Sequence, residues 1–171
     1  MSDQQQPAEP NSNKSAPVTR RPVQEEDEPF LLKVYASTRA DELALTPWDE
    51  AQREAFLKMQ FTAQQMHYRN YYPGATHEII LLKDQPVGRL YVVEEDENFQ
   101  ILDITILPEH RSAGTGTPIL KDIQAKAAKA GKSVGIYVES FNPSLRLFER
   151  LGFSKVEENG IHFLMVWRPG A

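Results

Sequence analysis

The segment Arg111 to Thr117 reads R-S-A-G-T-G-T, and it constrains the fold more than any other stretch of the chain. Its two glycines, Gly114 and Gly116, follow an apolar, β-branched run that ends at Pro108 and open an alanine- and lysine-rich run of helical character. A strand that turns at once into a helix is a unit of a layered α/β domain. Glycine removes the side chains that would block an approach to the backbone at the turn. The first amides of the helix have no intrahelical acceptor and lie at the positive end of its dipole, so the turn favours an anion such as a diphosphate. The segment lacks the Gly-Lys-[Ser/Thr] ending of a P-loop and the third glycine of a dinucleotide fingerprint.

The rest of the chain supplies the elements around that turn. Residues 30–36 (F-L-L-K-V-Y-A) are short, apolar and β-prone, which predicts a first strand, and D-E-L-A-L at 41–45 predicts a helical turn. Pro47-Trp48-Asp49 marks a helix start. Phe56, Met59, Ala63, Met66 and Asn70 recur at spacings of three and four, predicting an amphipathic helix over about 49–70 with that stripe inward. Strands follow at 77–83, 87–94 and 100–107, then a helix at 116–130 ending at Gly131. A strand at 133–139, a helix from Asn142 to Leu151, and strands at 153–157 and 162–167 about Asn159-Gly160 complete the order β-α-α-β-β-β-α-β-α-β-β. This order predicts a mixed sheet with helices on both faces.

Composition narrows the function. With 171 residues the chain suits one domain. Residues 1–28 hold few aliphatic side chains (Ala8, Ala16, Val18, Val23) among Gln, Pro, Ser, Asn and acids, so a disordered tail is expected there, followed by one domain over 29–171. There is no apolar signal core and no run near the roughly 20 residues a membrane span needs. Cysteine is absent, which excludes disulfides, thiolate metal sites and a cysteine nucleophile, and a cytoplasmic setting is the expectation. The net charge of −5 argues against a nucleic-acid surface. The four histidines, 67, 77, 110 and 162, lack metal-ligand spacing, so no metal is expected.

Two segments resemble one known family. I-T-I-L-P-E-H-R-S-A-G-T-G-T-P-I-L at 104–120 resembles the acetyl-CoA-binding segment of the GNAT N-acetyltransferases, with its [R/Q]-x-x-G-x-[G/A] pattern after a strand. N-P-S-L-R-L-F-E-R-L-G-F at 142–153 resembles the family's second signature, an Asn-opened helix that closes on Leu-Gly-Phe. The resemblance runs from about residue 30 to the end. It implies a GNAT-like α/β fold, with a mixed, mostly antiparallel central sheet and helices on both faces. It also implies acetyl-CoA as co-substrate. The backbone of Ile104, Thr105 and Ile106, at a bulge where two strands part, would bond the pantetheine arm. Arg111, Ser112, Ala113, Gly114, Thr115, Gly116 and Thr117 would hold the diphosphate, and Asn142 would bond the pantetheine from the other side, while also being able to cap the helix. Phe148 would join the cofactor-binding set, at the position where many relatives carry a proton-donating tyrosine. Two further departures are Gln100 and Tyr137, each where relatives often have a glutamate.

Acetyl transfer to an amine requires loss of a proton from the amine, stabilisation of the carbonyl oxygen and protonation of the departing thiolate. Without cysteine, direct attack in a ternary complex is the mechanism expected. On the strand 133–139, Val134, Ile136 and Val138 share one face, while Tyr137 and Glu139 share the other near the strand's end. Glu139 or Asp103 is the candidate base, directly or through water, and Tyr137 the candidate acid or orienting group. Against these roles, Glu139 would merely cap the next helix and Asp103 merely sit at a solvated edge. Aromatic residues of 37–75 line the expected acceptor side, with Phe56 read as packing and 67–72 as acceptor wall or loop rim.

The acceptor implied is a primary amine of a small molecule, a peptide N-terminus or a lysine. A CoA-binding regulatory or interaction module with little transferase activity is the alternative reading. Pairing of two copies through the final strands is compatible with the sequence, and nothing in it forces a homodimer.

Overall fold

The computed structural model describes residues 17–111 and 113–170. The elements are β1 (Val18–Pro22), α1 (Glu28–Ala44), α2 (Glu50–Tyr71), β2 (Thr76–Leu82), β3 (Gln85–Glu94), β4 (Asn98–Ile106), α3 (Gly116–Ala130), β5 (Ser133–Glu139), α4 (Leu145–Arg150), β6 (Ser154–Asn159) and β7 (His162–Trp167). The strands form one sheet in the order β1-β2-β3-β4-β5-β7-β6, antiparallel throughout except at β4 and β5. Helices cover both faces, as the sequence predicts.

Two expectations fail at the N-terminal end. Residues 30–36 are not a strand but the first half of α1. Pro29 stands in its first turn, and Leu31, Val34 and Tyr35 are buried at helical spacing. The first strand lies in the segment expected to be a tail: β1 pairs in register with β2, from Val18↔Leu82 to Pro22↔Glu78. Arg21 secures it through two bonds to Asp27, at 2.7 and 2.8 Å. The ordered part therefore begins well before residue 29. The expected tail is otherwise left to residues 1–16, which lie outside the described residues.

One face of the sheet is covered by α3 and α4. Ile119, Leu120 and Ile123 of α3 meet Leu90, Ile101, Val134 and Ile136 in the main core. Two glycine caps set the ends of these helices. Gly131 (φ 68°) follows α3, with Lys132 N–H donating to Ala127 O at 2.9 Å and Gly131 N–H to Ala128 O at 3.1 Å. Gly152 (φ 92°) follows α4 in the same way, Phe153 N–H donating to Phe148 O and Gly152 N–H to Glu149 O, both at 3.0 Å. These are Schellman motifs, in which only glycine takes the left-handed position without strain. At α4 the apolar contact that accompanies the motif is Phe148 against Phe153, ring centroids 5.4 Å apart.

The other face is covered by α1 and α2, where Leu31, Tyr35, Phe61 and Ile79 form a second core. Asp49 and Gln52 cap α2 reciprocally, at 2.8 and 3.0 Å. The inward stripe of α2 is not the expected one. Met59 and Met66 are exposed, and Phe61 is the residue fully buried, with Leu57, Gln64 and Tyr68 on its side. Phe56 packs on Trp48, centroids 4.9 Å apart, rather than on the sheet core.

Candidate active site

The site grows from the one parallel junction. Four rungs join β4 to β5, from Asn98↔Ser133 to Ile101↔Ile136, and none joins them beyond. Past that point β4 stays with β3 as far as Ile106↔Gly88, and β5 stays with β7 as far as Glu139↔His162. The bulge lies at the start of the free arm. Tyr91 faces Asp103 while Val92 faces Ile101, so Leu102 is the extra residue. The expected position, Ile104 to Ile106, is two residues further along. Ile104 and Ile106 pack into the main core, and the Thr105 hydroxyl donates to Asp103, so their side chains are engaged and their backbone borders the gap.

At the end of this arm the chain turns into α3. Arg111 Nε donates to Ile106 O at 3.1 Å, tying the loop back to the strand. Ser112 lies outside the described residues. Gly114 has φ 73°, with open space where a Cβ would stand, and Gly116 begins the helix where an added Cβ would lie 3.5 Å from a Leu147 methyl. Among the described residues no side chain caps α3, and Pro118 in its first turn has no N–H, so the unsatisfied donors are those ahead of it. Thr115 is 3% exposed and its hydroxyl has no partner among the described residues. A 15-residue helix with an uncapped start, a glycine entry and an orphaned buried hydroxyl fits a diphosphate.

The candidate side chains divide by environment. Phe148 is 3% exposed, its ring held by Phe153 in the main core at the end of α4. Asn142 opens the turn into α4, its Oδ1 accepting from Ser144 N–H at 2.9 Å and from the Ser144 hydroxyl at 2.8 Å. The helix-capping role read from the sequence is therefore the one its oxygen plays. Gln100 lies at a paired rung with its amide over Gly135, where a Cβ would meet Oε1 at 2.8 Å. Tyr137 and Glu139 share a face, opposite the buried Val134, Ile136 and Val138, as the alternation predicts. Tyr137 is 52% exposed on the β5 arm, and Glu139 is half-buried at its end.

Asp103 is not at a solvated edge. Its Oδ2 accepts from Arg89 Nε at 2.6 Å and its Oδ1 from Thr105 Oγ1 at 2.8 Å. Arg89 is 1% exposed, and its Nη2 donates to Gln64 Oε1 of α2 at 2.6 Å. Tyr68 reaches Leu102 O, the bulge carbonyl, at 3.3 Å, and burial, with the Asp103 charge next, pushes its hydroxyl up to about 12. Gln64 and Arg89 escape a reading by motif, whereas Tyr68 belongs to the stretch 67–72 read as acceptor wall or loop rim. The available signal was an arginine inside the otherwise apolar run V-G-R-L-Y-V-V. Among the described residues no cluster of His, Asp or Glu is arranged to hold a metal ion, and no helix is long and apolar enough to cross a membrane.

The sequence matches the family described as "Acetyltransferase (GNAT) domain" over residues 35–165. The chain belongs to the GNAT acetyltransferase family. Solved GNAT-type structures agree in fold. The PaiA N-acetyltransferase of Thermoplasma acidophilum, in complex with coenzyme A, is 15% identical with a TM-score of 0.68, over 89% of this chain and 99% of that one. An acetyltransferase from Thermus thermophilus is 19% identical with a TM-score of 0.65, over 90% and 98%. A GNAT family acetyltransferase from Elizabethkingia anophelis, with acetyl-CoA bound, is 17% identical with a TM-score of 0.56, over 88% and 97%. No curated protein sequence matches the chain significantly.

Proposed function

We propose that this GNAT protein transfers an acetyl group from acetyl-CoA to a primary amine of a small molecule, a peptide N-terminus or a lysine, by direct attack in a ternary complex. The observation that carries the reading is the start of α3, uncapped among the described residues and reached through Gly114 at φ 73°, at the end of a β4 arm that no rung joins to β5 beyond Ile101. On this reading the backbone of Ile104, Thr105 and Ile106 bonds the pantetheine and the amides of residues 112–117 take the diphosphate, with Arg111 setting the loop. The amide nitrogen of Asn142, not engaged in its cap, is the group left to bond the pantetheine from the far side. Bound acetyl-CoA supplies the activated acyl group; the protein holds the two reactants together, and proximity alone contributes many kcal/mol.

Of the two candidate bases, Glu139 is favoured. Both oxygens of Asp103 already accept charge-assisted or hydroxyl hydrogen bonds, so it has little capacity to take an amine proton. Glu139 stands on the β5 arm beside the gap, and the exposed Tyr137 two residues earlier shares its face as the acid or orienting group. A cytoplasmic setting belongs to the same proposal, since the chain contains no cysteine. An acetyl-CoA thiol-release screen over amines, amino acids and peptides tests it, with calorimetry of CoA alongside. Release with one amine class supports transfer; tight CoA binding without release from any amine would leave the second reading, a CoA-binding module, which the burial of Phe148 and the engagement of Asp103 favour.

A further inference from the structure

An arginine as fully buried as Arg89 costs desolvation that its attraction to the half-buried Asp103 does not reliably recover. Its presence therefore calls for a role other than stability. Arg89 and Asp103 sit side by side, one on β3 and the other on β4 immediately after the bulge residue Leu102. Four polar contacts converge there. Gln64 brings α2 to Arg89 at 2.6 Å, Arg89 holds Asp103 at 2.6 Å, Thr105 closes on Asp103 at 2.8 Å, and Tyr68 of α2 lies 3.3 Å from the Leu102 carbonyl. All act on the first residues of the arm that loses its β5 neighbour after Ile101.

We propose that Gln64, Arg89, Asp103 and Thr105 form a positioning clamp, through which α2 fixes the direction of the free β4 arm and so the seat of the thioester, and that Asp103 belongs to this clamp and is not the base.

The inference rests on the acetyl-transfer reading for its functional half only. An arm bordered on one side by a gap has lost half of its ladder, and a bulge adds local twist and bending. Without a further anchor the backbone at residues 103–106 has only β3 to hold it. The clamp provides that anchor from the helix layer. Because trans peptides are planar, restraining the Leu102 carbonyl and the Asp103 side chain also restrains the plane between them. Positioning errors of this size are costly, since a displacement near 1 Å lowers a rate about 100-fold.

Gln64→Leu removes the link between Arg89 and α2 while leaving the ion pair, the Tyr68 contact to the Leu102 carbonyl and the α3 loop intact. The expected result is a kcat lowered about 10-fold, a CoA affinity within 2-fold of the parent, and amide hydrogen exchange at residues 103–106 faster by 10-fold or more. Gln64→Glu, which keeps an acceptor for Arg89, should restore kcat to within 2-fold. Unchanged kcat and unchanged exchange in Gln64→Leu, with only a lower melting temperature, would overturn the clamp. Asp103→Asn is the second variant: the clamp predicts that turnover persists and that the pH–rate profile keeps the limb set by deprotonating the base. A loss of 1,000-fold together with that limb would make Asp103 the base and sink the proposal. If the parent protein releases no thiol with any amine, acetyl transfer falls, and the exchange measurement alone decides the clamp: faster exchange in Gln64→Leu upholds it and unchanged exchange overturns it.

Discussion

His77 of β2 lies nearly flat on Tyr91 of β3, with ring centroids 4.2 Å apart and planes 21° from parallel. The two residues are cross-strand partners, and the Nε2 of His77 is buried without a partner among the described residues. Burial first, and the nearby Arg89 charge second, push the imidazole down to about 4. The ordinary value is near 6.5.

The sign of the resulting pH dependence follows from proton uptake. Between about 6.5 and about 4 the unfolded chain binds a proton at His77 and the folded chain does not. Stability is therefore full above about 6.5 and declines as pH falls towards about 4, by roughly 2 kcal/mol after allowance for partial exposure. Urea unfolding between pH 7 and pH 4.5 measures this slope, and His77→Phe should flatten it. An unchanged slope in the variant would assign the acid loss to other groups.

The glycines of the α3 turn should separate fold from ligand. Gly116→Ala places a methyl at ordinary contact distance from Leu147, so stability should change by less than about 1 kcal/mol, the helix propensity of alanine helping. Gly116→Glu sets a carboxylate at the uncapped amides and should weaken CoA at least 100-fold by calorimetry. Equal CoA affinity in the two variants would remove the diphosphate from this turn.

Phe148→Tyr asks whether the tyrosine of many relatives can be restored by one change. The ring is 3% exposed and packed edge-on against Phe153, so the added hydroxyl enters an apolar site. A loss of about 1–3 kcal/mol is expected, with no gain in kcat. A tenfold rise in thiol release would show instead that the ring edge faces the gap.

Glu139→Gln should lower kcat/KM by about 100-fold or more, the usual contribution of a positioned base, with folding unaffected at this half-buried strand end. Tyr137→Phe should cost less if the phenol only orients. A Glu139→Gln enzyme with normal turnover would leave catalysis to proximity.

Much of the architecture is legible in the sequence because its punctuation is local. Gly131, Gly152 and Asn159-Gly160 each mark a turn whose backbone only glycine takes readily, and the structure ends its elements there. The N-terminal third misleads because its signals are not local. Leu31, Val34 and Tyr35 have helical spacing, but F-L-L-K-V-Y-A is too short to separate a buried helix from a strand by period. V-T-R-R-P becomes a strand only through β2, which lies some sixty residues further along the chain. The α2 stripe fails for a related reason. Gln64 and Tyr68 face inward because Arg89 and the Leu102 carbonyl wait there, and no helical period can report a partner on another strand. In the site, the glycine turn and the strand alternation at Tyr137 and Glu139 are visible from spacing alone, whereas the engagement of Asp103 depends on a cross-strand register.

The four rungs between β4 and β5 are also a seam. On one side lie β1 to β4, braced by α1 and α2; on the other lie β5, β7 and β6. A ligand seated in the gap beyond Ile101 and Ile136 would act as mortar between two half-sheets, and its concentration would then set how firmly they adhere. On the proposed reading, scarcity of acetyl-CoA does more than slow the reaction. It also withdraws the ligand's share of the adhesion, leaving the two half-sheets to the four rungs and to the core that α3 packs across both.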